Sequence, residues 1–476
     1  MTAAAVSALL PLLVLAGGIV VLLLVVAWLR SGVVAFVGAL VVLGATIAVT
    51  PLALGAGTQD IDTLLEIDGY ALFFHGLFAF AAVATAILSY RYLKPRAAHA
   101  QEFYILLVVA TLGASVTAAT DHFAGFLLGI EVLSISLYAM IAYPQEGRGP
   151  LEAAAKYLVL SGAGTSTMLF GIALIYLVTG RLDFVAAGEL GGNEQLVLAV
   201  GQAMLLIGVF FKLSLVPFHM WTPDVYQGAP APVTGFVATV SKAAVFALLM
   251  RYALAVGVVD AEVLRNVIVV VAVLSMIAGN LLALLQTNIK RLLAYSSIAH
   301  MGYLLIAVVV AATPQVRSFG VETALVYLAG YVLMTLAAFG VVTVLSNAHE
   351  EAEELTAYEG LFWQRPVLAA VLAAAALSLA GIPLTVGFIA KFYLVAAGVD
   401  GSAWVLVWAL IVGSAIGIYY YLRIVFAMTK RPETGTQTPP VAWEGVVSVV
   451  VLGASIVALG VFPAPLVDFV RALGGP

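Results

Sequence analysis

The chain has no cysteine among its 476 residues. That absence excludes disulfides, thiolate-held iron–sulfur clusters and thiol-zinc sites within this polypeptide. Charge is scarce: only 9% of residues are Asp, Glu, Lys or Arg, where a soluble domain carries about 25%. The net charge of −5 is spread over polar connections, with no basic patch of the kind that binds nucleic acid. The six histidines (His75, His99, His122, His219, His300, His349) stand singly, so no metal-ligand spacing arises. Phosphate-binding glycine loops and nucleophile elbows are missing too. What fills the chain is apolar: 63% of residues are hydrophobic, with a mean hydropathy of +1.13. This is the composition of an all-α integral membrane protein that moves charge and makes no bonds.

A membrane span needs roughly 20 apolar residues. The pattern predicts about fourteen transmembrane helices at 5–29, 32–54, 70–90, 102–119, 122–142, 151–178, 196–218, 231–255, 263–286, 291–312, 321–346, 366–397, 402–428 and 441–470. The longest polar connections, 51–69, 179–195 and 347–365, are too short for a soluble domain. The first apolar run lacks a basic start and is long for a signal peptide, so it reads as a retained span. Loops after odd-numbered spans hold Arg30, Arg91, Lys94, Arg96, Arg148, Lys290, Arg291, Arg365, Lys430 and Arg431. The other side holds Arg181, Arg251, Arg265, Arg317 and Arg471. The positive-inside bias then puts both termini outside the cytoplasm of a multi-pass protein of the inner or plasma membrane.

Two spans are interrupted in the same style. The seventh breaks at Leu213–His219 (LSLVPFH) and the twelfth at Leu377–Gly387 (LSLAGIPLTVG). Five spans separate them, which reverses their topology, and paired broken helices in inverted repeats point to a transport site at mid-membrane. The implied layout is one membrane domain over 1–476. Spans 1–3 occupy 1–95, a first five-span repeat 102–255, a second 263–428, and a last span 441–470.

Few ionisable groups fall inside spans, and each costs about 2.5–3.5 kcal/mol there. Glu131 lies about 15 Å into its helix, near mid-bilayer, with Ser134 and Tyr138 on its face. Gly125 and Gly129 form a packing GxxxG on another face. Lys212 precedes Pro217 by five residues, where carbonyls freed by the break could bond an ammonium. Lys242 sits mid-span beside Thr239 and Ser241. His300 shares a face with Ser296, Ser297 and Tyr303, and Lys391 follows Pro383 with Gly387 leaving room for water or a helix. Each lysine could instead serve a structural salt bridge, Glu131 could be a neutral hydrogen-bonded acid, and His300 a packing group. Lys156 pairs with Glu152 at i, i+4 near a span start, Arg423 reads as an interface anchor, and Asp121 as the cap of the fifth span.

Three stretches match a known family. FKLSLVPFHMWTPDVYQGAPAPVTGFVATVSKAA (211–244), QTNIKRLLAYSSIAHMGYLL (286–305) and SLAGIPLTVGFIAKFY (378–393) resemble the antiporter-like membrane subunits of respiratory complex I, the bacterial NADH–quinone oxidoreductase, most closely those of the N type. The resemblance covers roughly 70–430. It implies fourteen transmembrane helices with two inverted five-helix repeats, each containing a broken helix. It also implies a proton relay through Glu131, Lys212, Lys242, His300 and Lys391. The M-type relatives end this axis with glutamate on the twelfth helix, where this chain has Lys391; the L-type relatives carry a long lateral helix that is not expected here. By resemblance the chain binds no cofactor: NADH, FMN, iron–sulfur clusters and quinone belong to partner subunits. Its partners would be an M-type subunit, small membrane subunits and the lipid bilayer. A cation–proton antiporter subunit without a redox partner, and an inactive structural subunit, are the alternatives. Antiporter relatives read differently at VYQGAP.

Overall fold

The computed structural model describes residues 2–97, 100–144, 148–184, 192–257, 262–347, 350–431 and 441–474. His99, His349 and part of the 179–195 connection lie outside the described residues. The helices are α1 (Ala3–Leu29), α2 (Gly32–Leu54), α3 (Gly69–Leu93), α4 (Gln101–Ala119), α5 (Phe123–Ile141), α6 (Arg148–Thr179), α7 (Gly192–Lys212), α8 (Trp221–Gly228), α9 (Ala231–Phe236), α10 (Lys242–Val256), α11 (Glu262–Leu284), α12 (Ile289–Ala311), α13 (Arg317–Leu345), α14 (Leu361–Gln364), α15 (Pro366–Ala380), α16 (Val386–Asp400), α17 (Trp404–Thr429), α18 (Trp443–Val461) and α19 (Ala464–Leu473). An antiparallel hairpin, β1 (Gln59–Ile61) with β2 (Leu65–Ile67), caps one end of the bundle.

Among the described residues, thirteen helical stretches are long and apolar enough to cross a membrane unbroken, α9 and α10 counting as one through the π-helical turn Val237–Ser241. The split pair α15 and α16 makes the fourteenth span. The last predicted span is shorter than its apolar run suggests, because Phe462 and Pro463 end α18 and the chain restarts as the separate α19. Lipid-facing surface is aliphatic, as at Leu24, Val41, Leu158 and Leu177. The span of α9 and α10 is wholly enclosed, and α12 and α13 nearly so. These three central spans carry Lys242, Ser297, His300, Tyr327 and Tyr331, described below.

Both interruptions are built to satisfy backbone groups that lipid cannot serve. α7 stops at Lys212; Ser214 takes a left-handed backbone (φ 62°), and the freed Val216 N–H donates to Ser275 Oγ at 2.9 Å. At the second break Gly381 (φ 86°) closes α15 by donating to the carbonyls of Leu377 and Ser378. Gly387 then donates to Ser378 Oγ at 3.0 Å, and a Cβ there would fall 1.8 Å from the Ser378 carbonyl oxygen. Gly387 therefore leaves no room for water; it lets the two half-helices touch. The Gly129 packing site meets Gly113: a Cβ on either glycine would crowd the other's carbonyl oxygen at 2.9–3.1 Å.

Two other expectations change. Asp121 does not cap α5, since His122 Nδ1 accepts the Ala124 N–H at 3.1 Å. Lys290 and Arg251, counted above among the charges that set the orientation, are buried to 1% and 3% exposure.

Candidate functional site

The first group gathers where α5, α6 and α7 meet. The Lys212 ammonium donates to Ser134 Oγ at 2.7 Å and Ser161 Oγ at 2.6 Å, and Tyr138 OH donates to Ser161 at 2.6 Å. Glu131 accepts from Thr165 Oγ1 at 2.8 Å. Ser161 and Thr165 lie one turn apart on α6, so Glu131 and Lys212 are held on neighbouring hydroxyls and not in an ion pair. Lys212 also does not use the carbonyls freed at Pro217. Nothing in the spacing of α5 or α7 pointed to α6 as the bridge; its threonine and serine at i, i+4 were the available signal.

The second group lies in the centre. Lys242 is fully enclosed, and its ammonium donates to Ser297 Oγ at 2.7 Å and stands 5.5 Å from the Tyr226 ring centre. Ser297 bonds Tyr331 OH at 2.6 Å. Thr239, a neighbour in sequence, is used elsewhere: its hydroxyl donates back to Gly235 O at 2.7 Å. His300 is bracketed by two tyrosines, Tyr327 OH at 2.8 Å from Nδ1 and Tyr421 OH at 3.3 Å from Nε2. Its ring lies 5.4 Å from Tyr303 and 5.6 Å from Tyr331. Ser296 bonds Tyr421. A shell of hydroxyls thus surrounds His300 and extends to Lys242.

Lys391 does use its break. Its ammonium donates to Ala380 O, at the end of α15, at 3.0 Å and stands 5.3 Å from the Tyr303 ring centre. Tyr303 OH accepts from the Asn280 amide at 2.7 Å, and Tyr420 OH donates to Asn280 Oδ1 at 2.9 Å. The ammonium groups of all three lysines thus rest on hydroxyls, a backbone carbonyl and aromatic rings.

The other charges divide differently. Lys156 is exposed and pairs with Glu152 at 2.8 Å and with Asp224 at 3.0 Å. Arg423 donates to the carbonyls of Leu284 and Gln286, closing the end of α11. Arg251 bridges Glu66 at 2.5 Å and Asp68 at 2.9 Å under the hairpin. Burial holds the Glu66 carboxyl above its usual range, with Arg251 opposing and Asp68 adding to the rise. At the opposite end Lys290 bonds Glu351, where burial alone would raise the carboxyl but Lys290 and Tyr92 hold it below the usual glutamate range.

Residues 120–417 match the family model described as NADH:quinone oxidoreductase/Mrp antiporter, TM. The chain belongs to this family. A chain in the structure of respiratory complex I from Thermus thermophilus with bound aureothin is 34% identical to it, covering 98% of this chain and 100% of its own, with a TM-score of 0.84. A chain of the Mrp complex from Dietzia sp. DQ12-45-1b superposes with a TM-score of 0.87 at 19% identity, over 99% of this chain and 97% of its own. A chain of the membrane-bound sulfane sulfur reductase, an archaeal respiratory membrane complex, superposes with a TM-score of 0.84 at 24% identity, over 98% and 96%. At those identities the last two speak for the fold alone. This family member is an antiporter-like, multi-pass membrane subunit of the complex I or Mrp kind.

Proposed function

We propose that the chain is the N-type proton-translocating subunit of a NADH–quinone oxidoreductase. NADH, flavin, iron–sulfur clusters and quinone are handled by partner subunits in this reading, with an M-type subunit and small membrane subunits as neighbours. The observation that carries it is the set of three buried lysines, Lys212 held by Ser134 and Ser161, Lys242 by Ser297 beside the tyrosine shell of His300, and Lys391 by the Ala380 carbonyl. The full-length 34% identity to a chain of a complex I structure supports complex I over the Mrp reading, whose match stands at 19%.

Moving one charge against 100 mV costs about 2.3 kcal/mol. Bringing a carboxylate to a buried ammonium, or withdrawing it, changes the energy by about 3–5 kcal/mol, which covers that step. Glu131 and Lys212 sit on adjacent hydroxyls, so a small shift of α5 against α7 is enough to pair or part them. Lys242 and His300 relay the proton along the axis, and Lys391 exchanges it at the second break.

The test uses membranes from cells carrying Lys212→Ala, scoring NADH-to-quinone electron transfer and proton uptake into vesicles. Loss of both activities in an assembled complex is expected. Both persisting unchanged refutes the relay, and sodium-driven transport without NADH oxidation favours the Mrp reading.

A further inference from the structure

Glu351 lies in the connection from α13 to α14, at the end of the bundle opposite the hairpin, yet its side chain is only 13% exposed. Its carboxylate collects donors from three elements. The Tyr92 hydroxyl reaches it from the end of α3, and the Ala231 N–H from the first residue of α9, at 2.9 Å. The Lys290 ammonium reaches it from the first turn of α12 and also donates to Ala229 O at 2.8 Å. The neighbouring backbone is tied down as well. Ile289 N–H donates to Glu353 O at 2.6 Å, Leu355 N–H to Thr287 O at 3.0 Å, and the Asn288 amide to the Glu353 carboxylate at 2.8 Å.

The two anchored helices meet again deeper in the bundle. α9 runs through the π turn to Lys242, and α12 reaches Ser297 two turns beyond Lys290. Lys242 and Ser297 form the 2.7 Å bond at the centre of the polar shell. A helix is stiff along its axis, so fixing both ends at one carboxylate fixes the register of that bond.

We propose that Glu351 is a positioning residue that sets the register between Lys242 on one helix and Ser297 and His300 on the other, through Ala231 and Lys290. The proposal rests on the relay assigned above. A recess of about 1150 Å³, lined by Tyr92, Lys156, Asp224 and Glu351 among others, opens this corner to small reagents.

The absence of cysteine makes a direct readout possible. Ala238, in the π turn one turn before Lys242, is fully enclosed and takes a thiol with little change of volume. Ala238→Cys is introduced into the intact complex, and labelling of this subunit by N-ethylmaleimide is timed with Glu351 native, Glu351→Ala or Glu351→Asp. Loss of the charge-assisted bonds is expected to speed labelling by at least about tenfold in Glu351→Ala. Proton uptake falls with it, and Glu351→Asp, which keeps the charge, recovers part of both. If Glu351→Ala fails to assemble, Glu351→Asp alone decides, through labelling faster than native. Native labelling rates and native proton uptake in an assembled Glu351 variant overturn the proposal. A Lys242→Ala variant that pumps normally overturns the relay instead, while the thiol rates still judge the register.

Discussion

Replacing Arg251 with methionine measures how far the hairpin end of the bundle depends on one buried guanidinium. Arg251 bridges Glu66 and Asp68 and stands 5.4 Å from the Tyr70 ring centre. Methionine keeps an apolar stem and removes the charge with its donors. Breaking a buried pair costs about 3–5 kcal/mol because the partner charge is left behind. The Asp68 side chain, 5% exposed, bears most of that cost and Glu66, at 29% and partly rehydrated, bears the rest, so about 3 kcal/mol applies. For a chain of this length each kcal/mol moves the thermal midpoint by roughly 1–2 °C, which gives a fall of about 3–6 °C. The assay is thermal unfolding of the purified complex followed on this subunit. Adding Asp68→Asn removes the stranded charge and recovers at least about 1 kcal/mol. pH supplies a third arm. Burial raises the folded value for Glu66, so its contribution to stability is full below the model-peptide value of 4.5 and is lost as pH rises through the folded value. The deficit of Arg251→Met therefore shrinks as pH falls from 7 toward 5, because a protonated carboxyl needs no partner. An Arg251→Met midpoint within about 1 °C of native at pH 7 refutes the argument.

Two further substitutions probe the axis itself. Ser134→Ala with Ser161→Ala strips both acceptors from the Lys212 ammonium, each bond contributing about 1.5–3 kcal/mol. The expected result is an assembled complex whose proton uptake falls at least about tenfold, and uptake equal to native shows that the hydroxyl cradle is dispensable. Gly387→Ala places a methyl 1.8 Å from the Ser378 carbonyl oxygen, forcing α15 and α16 apart. Subunit yield or proton uptake should drop more than for an alanine substitution at exposed Gly44, measured by immunoblot and vesicle assay in parallel.

The membrane fold was readable because apolar runs and proline breaks are local signals. Lys212, Lys242, His300 and Lys391 stood out for the same reason, as polar groups inside apolar runs. What they bind was not readable. Ser161 lies 51 residues from Lys212, and Tyr421 lies 121 from His300, so only the packed bundle shows the pairing. The orientation count also assigned Lys290 and Arg251 to the two faces of the membrane because each lies near a helix end. Their burial depends on Glu351, Glu66 and Asp68, which come from connections that carry no periodic pattern. Gly387 was misread by the reverse error: a missing side chain suggested space where the backbone of Ser378 fills it.

The π turn at Val237–Ser241 acts as a phase adjuster. An α-helix turns about 100° per residue, and a π turn accommodates one extra residue in its widened ring. Were these same five residues to wind as ordinary α-helix, the residue that the widened ring absorbs would count as a full step along the helix. Ala231 could then still face its carboxylate, but the side chain of Lys242 would swing round the axis by about a quarter turn, away from Ser297. The insertion is thus what allows one rigid rod to satisfy a partner at its end and another at its middle, like a vernier between two scales of slightly different pitch.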